Sequence, residues 1–238
     1  MKKRFHVFLG ILAIILVTLV FLTATYFGNY YSYGSYAKKA MKSTDTVEVK
    51  REDDYIFFDG PGSDKAVIFY PGAKVATEAY APLAQGLAKK GFDCFLIEMP
   101  LHFSMFGYER ASEVTSAYSY DEFILAGHSL GGVSAARYLS QHPRDFTGLV
   151  LMGAYPTVKI DDSINFLSIV GSNDKVVNPD RYEKAKTNWP KGNSHDGLIF
   201  GGNHSYFGNY GLQDGDGDAS IRPKTQWRHT IEAIEEYF

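Results

Sequence analysis

The sequence predicts an α/β protein: a mostly parallel central sheet with helices on both faces, preceded by one N-terminal transmembrane helix. Three observations predict it. Short apolar runs of strand length alternate with helical stretches from about residue 45 onward, the pattern of parallel strands joined by helical crossovers. One such run, Phe123 to Ala126, leads directly into Gly127-His128-Ser129-Leu130-Gly131, which reads as a sharp strand-to-helix turn with a serine at its tip. Val7 to Phe27 carries no charged residue, and a helix of that length spans roughly 31 Å, enough to cross a hydrocarbon core.

Lys2, Lys3 and Arg4 precede the apolar run, and no basic residue follows it before Lys38. That asymmetry favours a cytoplasmic N-terminus. A removed signal peptide is the competing reading, but its apolar core is usually shorter, and the small-x-small candidate Ser35-Tyr36-Ala37 lies well beyond the run. Residues 1–37 are therefore expected to form a cytoplasmic stub, transmembrane anchor and tether. Residues 38–238 are expected to form one folded domain without a separate lid domain. It would lie outside the cytoplasm on a single-pass cell-membrane protein, or be secreted if the segment is cleaved. Asn29 to Tyr36 is rich in Tyr, Ser and Gly and reads as an interfacial aromatic belt and tether.

Val47 to Lys50 and Tyr55 to Phe58 read as an opening hairpin, and Pro61-Gly62 as a turn. Ala66 to Tyr70 is continuously apolar, as a strand buried on both faces should be. Thr77 to Lys90 reads as an amphipathic helix closed by Gly91. Phe92 to Ile97 is the next strand, and Met105 to Tyr118 contains a helix. After the strand Phe123 to Ala126 comes a helix, Leu130 to Gln141, ended by His142-Pro143. Leu149 to Met152, Phe166 to Val170 and Leu198 to Phe200 are further strands; Pro179 to Ala185 and Thr225 to Tyr237 are helices. About a dozen residues separate the strand ending at Met152 from the one starting near Phe166. That is too short for a separate lid domain.

The net charge of −3, with no basic stripe interleaved with aromatics, argues against nucleic acid as a partner. A single cysteine, Cys94, excludes an internal disulfide; inside a predicted buried strand it reads as a small hydrophobe.

A serine hydroxyl needs a base, and the base needs an orienting group. In a parallel sheet these must come from loops at the carboxyl edge. Three histidines follow the elbow in the required order: His195 precedes a strand, His229 lies in a helix pattern, and His204 follows Leu198 to Phe200 through Gly201-Gly202-Asn203. His204 is the expected base. Asp174 follows the strand Phe166 to Val170 through Gly171-Ser172-Asn173 and is the expected acid; Asp161 and Asp162 precede that strand. The oxyanion hole needs two backbone donors. One should be the N–H of Leu130, the other that of Ala73 in Pro71-Gly72-Ala73-Lys74, with Lys74 as the alternative. His128 is expected to pack within the elbow.

These motifs, in this order and spacing, resemble the α/β-hydrolase superfamily over roughly residues 45 to 238. Tyr70-Pro71-Gly72-Ala73-Lys74-Val75 and His204-Ser205-Tyr206-Phe207-Gly208-Asn209-Tyr210-Gly211 are similar to small, lidless bacterial hydrolases of the dienelactone-hydrolase-like kind. The resemblance implies ester hydrolysis. It departs from true dienelactone hydrolases at the nucleophile, which is a cysteine there and Ser129 here.

The expected function is a serine hydrolase that cleaves a small-molecule carboxylic ester through an acyl-enzyme on Ser129, His204 and Asp174. The alternatives are an acyltransferase on the same residues, or a catalytically inactive binding protein on the same fold. No cofactor is needed, and no metal is expected. Asp214-Gly215-Asp216-Gly217-Asp218 suggests calcium, but an EF-hand loop wants Gly and Glu where Ala219 and Thr225 stand. Lys74, His102 and Tyr206 are candidate substrate-pocket residues; Phe103, Met105, Phe207, Tyr210 and Gln213 share those loops, with packing as the alternative role.

Overall fold

The computed structural model describes residues 2–62 and 64–238. The chain forms two compact units, one ending at Tyr30 and one spanning Tyr31–Phe238. The first is a single helix, α1 (Lys2–Gly28). Its segment Phe8–Gly28 has a mean hydropathy of 2.6, long and apolar enough to cross a membrane. Large apolar side chains stand exposed around it, among them Phe8, Ile14, Val17 and Phe21. The side chains of Lys2, Lys3 and Arg4, on which the expected orientation rests, lie outside the described residues, as do Met1 and Ser63.

The second unit is built on one eight-stranded sheet in the order β1-β2-β4-β3-β5-β6-β7-β8. The strands are β1 (Glu48–Arg51), β2 (Tyr55–Asp59), β3 (Lys65–Tyr70), β4 (Phe92–Ile97), β5 (Glu122–His128), β6 (Gly148–Met152), β7 (Asn165–Gly171) and β8 (Ser194–Ile199). β1 and β2 are antiparallel to each other, and β2 to β4; β4, β3, β5, β6, β7 and β8 pair in parallel. The central strands are continuous apolar runs because both faces are covered. Alternate residues serve the two faces. Val67, Phe69, Ile124, Ala126 and Val150 pack with Leu83 and Leu87 of α3 (Ala81–Ala88) and Ile234 of α7 (Pro223–Tyr237). Ala66, Ile68, Leu125, Leu149 and Leu151 pack with Val114 of α4 (Ala111–Ala117) and with Ala135 and Leu139 of α5 (Leu130–Gln141). The chain leaves β3 for β4 on one side and reaches β5 on the other. This reversal opens a crevice at the carboxyl ends of β3 and β5, where ligand sites form in such sheets.

Several elements differ from the sequence reading. Thr77 to Lys90 divides into a 3-10 turn, Thr77–Tyr80, and α3, because Pro82 stands at the start of the α-helix and supplies no N–H to the preceding turn. Met105 to Tyr118 holds two pieces, a 3-10 turn Ser104–Phe106 and α4. β8 starts earlier, at Ser194, because it is an edge strand whose His195 and Asp196 face solvent and hide its pattern. The segment Tyr31 to Tyr36 is not a free tether. Tyr31 N–H donates to Lys74 O (2.7 Å) and Tyr31 O accepts from Ala76 N–H (3.0 Å). α2 (Ser35–Ala40) follows, its Ala37 N–H donating to Asn209 Oδ1 (2.9 Å). Residues 31–37 thus pack within the second unit, ahead of the boundary expected at 38.

Candidate active site

The serine turn is closed by crowding that only glycine tolerates. Ser129 has φ +53° and ψ −126°, the left-handed side of the map that a side chain rarely adopts. A Cβ on Gly131 would lie 2.2 Å from Tyr70 O, backbone against backbone. The turn is pinned to the next strand by Ser129 N–H donating to Met152 O (3.0 Å). Ser129 is half-buried at the carboxyl end of β5, and the first residue of α5, Leu130, follows it. The N–H of Leu130 belongs to the first turn of that helix, which has no intrahelical acceptor.

The loop after β3 faces this turn. Gly72 N–H donates to the buried Tyr80 hydroxyl (3.0 Å), and Lys74 N–H donates to His102 O (2.8 Å). The Lys74 donor is therefore occupied, whereas the Ala73 N–H has no acceptor among the described residues. Lys74 and His102 both have positive φ, +57° each, so the loops after β3 and β4 meet in a strained double turn. A Ser104–Ser134 hydroxyl pair (2.8 Å) ties the second of these loops to α5.

Asp174 and His204 arrive from the ends of β7 and β8 and meet. His204 Nδ1–H donates to Asp174 Oδ2 at 2.8 Å, with side chains 1% and 2% exposed. Asp174 Oδ1 accepts from Val176 N–H and Val177 N–H, 2.9 Å each. The carboxylate is thus held by three donors in a buried place, which is what a buried charge requires. The Nε2 of His204 is buried and has no hydrogen-bond partner, the Ser129 hydroxyl included. That nitrogen is left as a free acceptor beside the elbow, since the His204 ring lies 4.5 Å, centroid to centroid, from that of His128, the neighbour of Ser129.

His128 packs within the elbow as expected. It is fully buried and its Nδ1 accepts from the Tyr80 hydroxyl (2.8 Å). Burial first, and the His204 imidazole second, hold its pKa well below the ordinary histidine value, against a weaker upward pull from the His204 backbone. Phe207 and Tyr210 are buried in the core around it, so their role is packing. Tyr206 is half-buried on the 3-10 turn Ser205–Phe207, its N–H donating to Asn203 Oδ1 (3.0 Å). Cys94 is buried in β4, and burial pushes its thiol pKa up.

Three residues that sequence reasoning missed hold this arrangement. Asp216 accepts from Ser205 N–H (2.8 Å), Ser205 Oγ–H (2.6 Å) and His204 N–H (3.2 Å), and reaches Lys175 N–H (3.4 Å) in the Asp174 loop. The acidic turn around it therefore works as a clamp between two loops, and among the described residues no cluster of potential metal ligands is present. Gln226 of α7 accepts from Asn203 N–H (3.0 Å) and donates to Asn203 O (2.7 Å), fixing the residue before His204. Gly153 has φ +53°, and a Cβ there would stand 2.8 Å from His204 Nδ1 and 3.2 Å from Asp174 Oδ2. The closeness of Asp216 in sequence to His204 was the one signal available.

No curated protein matches the chain in sequence. Among solved structures, the fold is similar to a monoacylglycerol lipase of Paleococcus ferrophilus (14% identity, 80% of this chain and 100% of that one, TM-score 0.61). It is also similar to a soluble variant of monoglyceride lipase from Saccharomyces cerevisiae (12% identity, 83% and 96%, TM-score 0.59). A third is TT1662 from Thermus thermophilus (15% identity, 80% and 98%, TM-score 0.59). At these identities the likeness establishes the fold alone. In sequence, the model of the alpha/beta hydrolase family matches residues 66–228, well over half of the chain, and the chain belongs to that family.

Proposed function

We propose that the protein is a serine hydrolase that cleaves a carboxylic ester through an acyl-enzyme. The observation that carries this reading is the buried His204–Asp174 pair, 2.8 Å long, whose outer nitrogen has no partner. An imidazole with Nδ1–H given to a carboxylate must present the Nε2 lone pair outward, which is the form a general base needs. In the proposed cycle the Ser129 hydroxyl gives its proton to His204 Nε2 as Oγ attacks the ester carbonyl. Asp174 holds the tautomer and supports the imidazolium. The N–H groups of Leu130 and Ala73 receive the developing oxyanion. The imidazolium then protonates the leaving alcohol, and water, activated by His204, cleaves the acyl-enzyme. These steps use protein groups and water alone. Ser129 and His204 close to hydrogen-bond distance when substrate binds, as such pairs commonly do. Lys74, His102 and Tyr206, on the loops after β3, β4 and β8, are assigned to the mouth of the substrate pocket.

The helix α1 is proposed to be a retained single-pass anchor with its N-terminus in the cytoplasm, which puts the hydrolase domain outside the cytoplasm at the cell membrane. Ser129→Ala tests the chemistry. It is expected to abolish hydrolysis of a panel of soluble short-chain acyl esters, and labelling by a fluorophosphonate, while leaving the unfolding midpoint unchanged. Undiminished turnover by a folded Ser129→Ala protein would reject the assignment.

A further inference from the structure

We propose that the groove between α2, α3 and α7 binds the anionic headgroups of a lipid bilayer. The groove has a volume of about 640 Å³, within the range of sites for small organic ligands. It does not involve Ser129, Asp174 or His204, and its reading is independent of ester hydrolysis.

Charge is the first argument. The whole chain carries a net charge of −3, yet five cations and one carboxylate, Glu232, line this groove. Lys90 pairs with Glu235 (2.8 Å) and Arg228 with Glu232 (2.9 Å). Lys39, Lys89 and Lys224 have no carboxylate within ion-pair distance among the described residues. Three cations without a carboxylate partner on one concave surface attract an external anion, even though the protein as a whole is acidic. The second argument is the aromatic floor. Trp227 is 5% exposed and meets Tyr36 edge-on, centroids 5.9 Å apart, with Lys224 Nζ 4.5 Å from the Tyr36 ring. The indole N–H of Trp227 is buried without an acceptor, a donor that native proteins seldom leave unpaired. A phosphate or ester oxygen supplies one.

Tryptophan, tyrosine and lysine together are the side chains of the membrane–water interface, with an apolar body and a polar tip. Tyr36 and Lys39 follow Gly28, the last residue of the apolar helix, by eight and eleven positions. Anionic headgroups attract cations that lie within about a Debye length of a membrane surface. A bilayer therefore meets the apolar, cationic and donor features of the groove at once, and a free anion meets only two of them.

Trp189 and Trp227 are the two tryptophans of the chain, so Trp189→Phe leaves Trp227 as a single reporter. The full chain carrying that change is reconstituted into phosphatidylcholine vesicles with increasing phosphatidylglycerol, and Trp227 emission is recorded. A saturable change with phosphatidylglycerol, reversed by 1 M salt, is expected. Lys224→Gln should raise the half-saturating fraction about fivefold. Lys39→Glu with Lys89→Glu and Lys224→Glu should abolish the response; the milder Lys39→Gln with Lys224→Gln covers the case in which the triple variant misfolds. Emission indifferent to phosphatidylglycerol, or an undiminished response in the charge variants, overturns the proposal. So does full reproduction of the response by inorganic phosphate over pure phosphatidylcholine vesicles, which would make the groove a site for free anions.

Discussion

Replacing Asp216 with alanine is expected to cost about 3 kcal/mol of stability and to lower kcat far more than it raises KM. The carboxylate takes two donors from Ser205, at 2.8 and 2.6 Å, and one from His204 at 3.2 Å. Ser205 is fully buried, so both of its donors are stranded when the acceptor goes, at about 1–3 kcal/mol each. The His204 contact is the longest and adds least. Asp216 itself is half-buried, and the water that reaches it reduces the sum to about 3 kcal/mol. Turnover suffers for a separate reason. On one side His204 is held through Asn203, which Gln226 fixes at both backbone groups. On the other side the loop is held through Ser205 and Asp216. Without that clamp the imidazole loses its registration against Ser129, and a misplacement of about 1 Å costs on the order of a hundredfold.

The assay is urea unfolding of the full chain in non-ionic micelles, followed by near-ultraviolet circular dichroism, beside ester turnover of the same preparation. The midpoint should fall with an unchanged slope. Asp216→Asn, which keeps one acceptor oxygen, should lie between the two proteins. A midpoint within experimental error of the parent and an unaltered kcat in Asp216→Ala would refute the clamp.

Two other perturbations follow from the same geometry. Gly153→Ala puts a methyl 2.8 Å from His204 Nδ1 at φ +53°; it should cost about 1–2 kcal/mol in backbone strain and lower turnover at least tenfold, and parent-level activity would show that the imidazole has room. His128 is held neutral in the fold by burial and by the nearby imidazole. Its folded pKa lies below the unfolded value, so its stabilising contribution is complete above about pH 6.5 and is lost as pH falls, when the unfolded chain takes a proton that the folded one refuses. From pH 7.5 to 5.5 this is on the order of 1 kcal/mol. In His128→Asn, whose amide oxygen can still accept from Tyr80, the fall in unfolding free energy from urea titrations over that range should be smaller by this amount. Identical pH slopes would mean that another group carries the dependence.

Burial on both faces is what made most of the sheet readable. Ala66 to Tyr70 and Phe92 to Ile97 are apolar throughout because helices cover each side of β3 and β4. Where one side meets solvent the signal fades, as in β8, whose polar and exposed residues hid its first turns of ladder. Single-residue pairings are invisible to periodicity, and the bridge of Tyr31 to Val75 is one of these. The meeting of Asp174 with His204 was legible because each follows a strand through a short glycine-containing loop, so that direction along the sheet sufficed. Asp216, Gln226, Gly153 and Tyr80 act on groups that only the fold brings near. Nothing local in their sequence distinguishes an aspartate that clamps a loop from one that ends a turn.

The elbow's variable residue shows how such contacts combine. Two imidazoles 4.5 Å apart cannot both be charged at a tolerable cost in a buried place. The surroundings divide the roles. His204 has the Asp174 carboxylate hydrogen-bonded to its Nδ1 at 2.8 Å. His128 is held neutral by burial first and by the His204 imidazole second, and its Nδ1 meets the Tyr80 phenol rather than a carboxylate. The same phenol accepts the Gly72 N–H, one residue ahead of the Ala73 donor. The hydroxyl of Tyr80 thereby joins the neutrality of His128 to the shape of the loop after β3. A proton forced onto His128 would oppose the charge that the proposed mechanism places on His204 and would repel the donor that keeps Gly72 in place. Acid should therefore disturb the proposed base and the proposed oxyanion loop together, through one hydrogen-bonded chain.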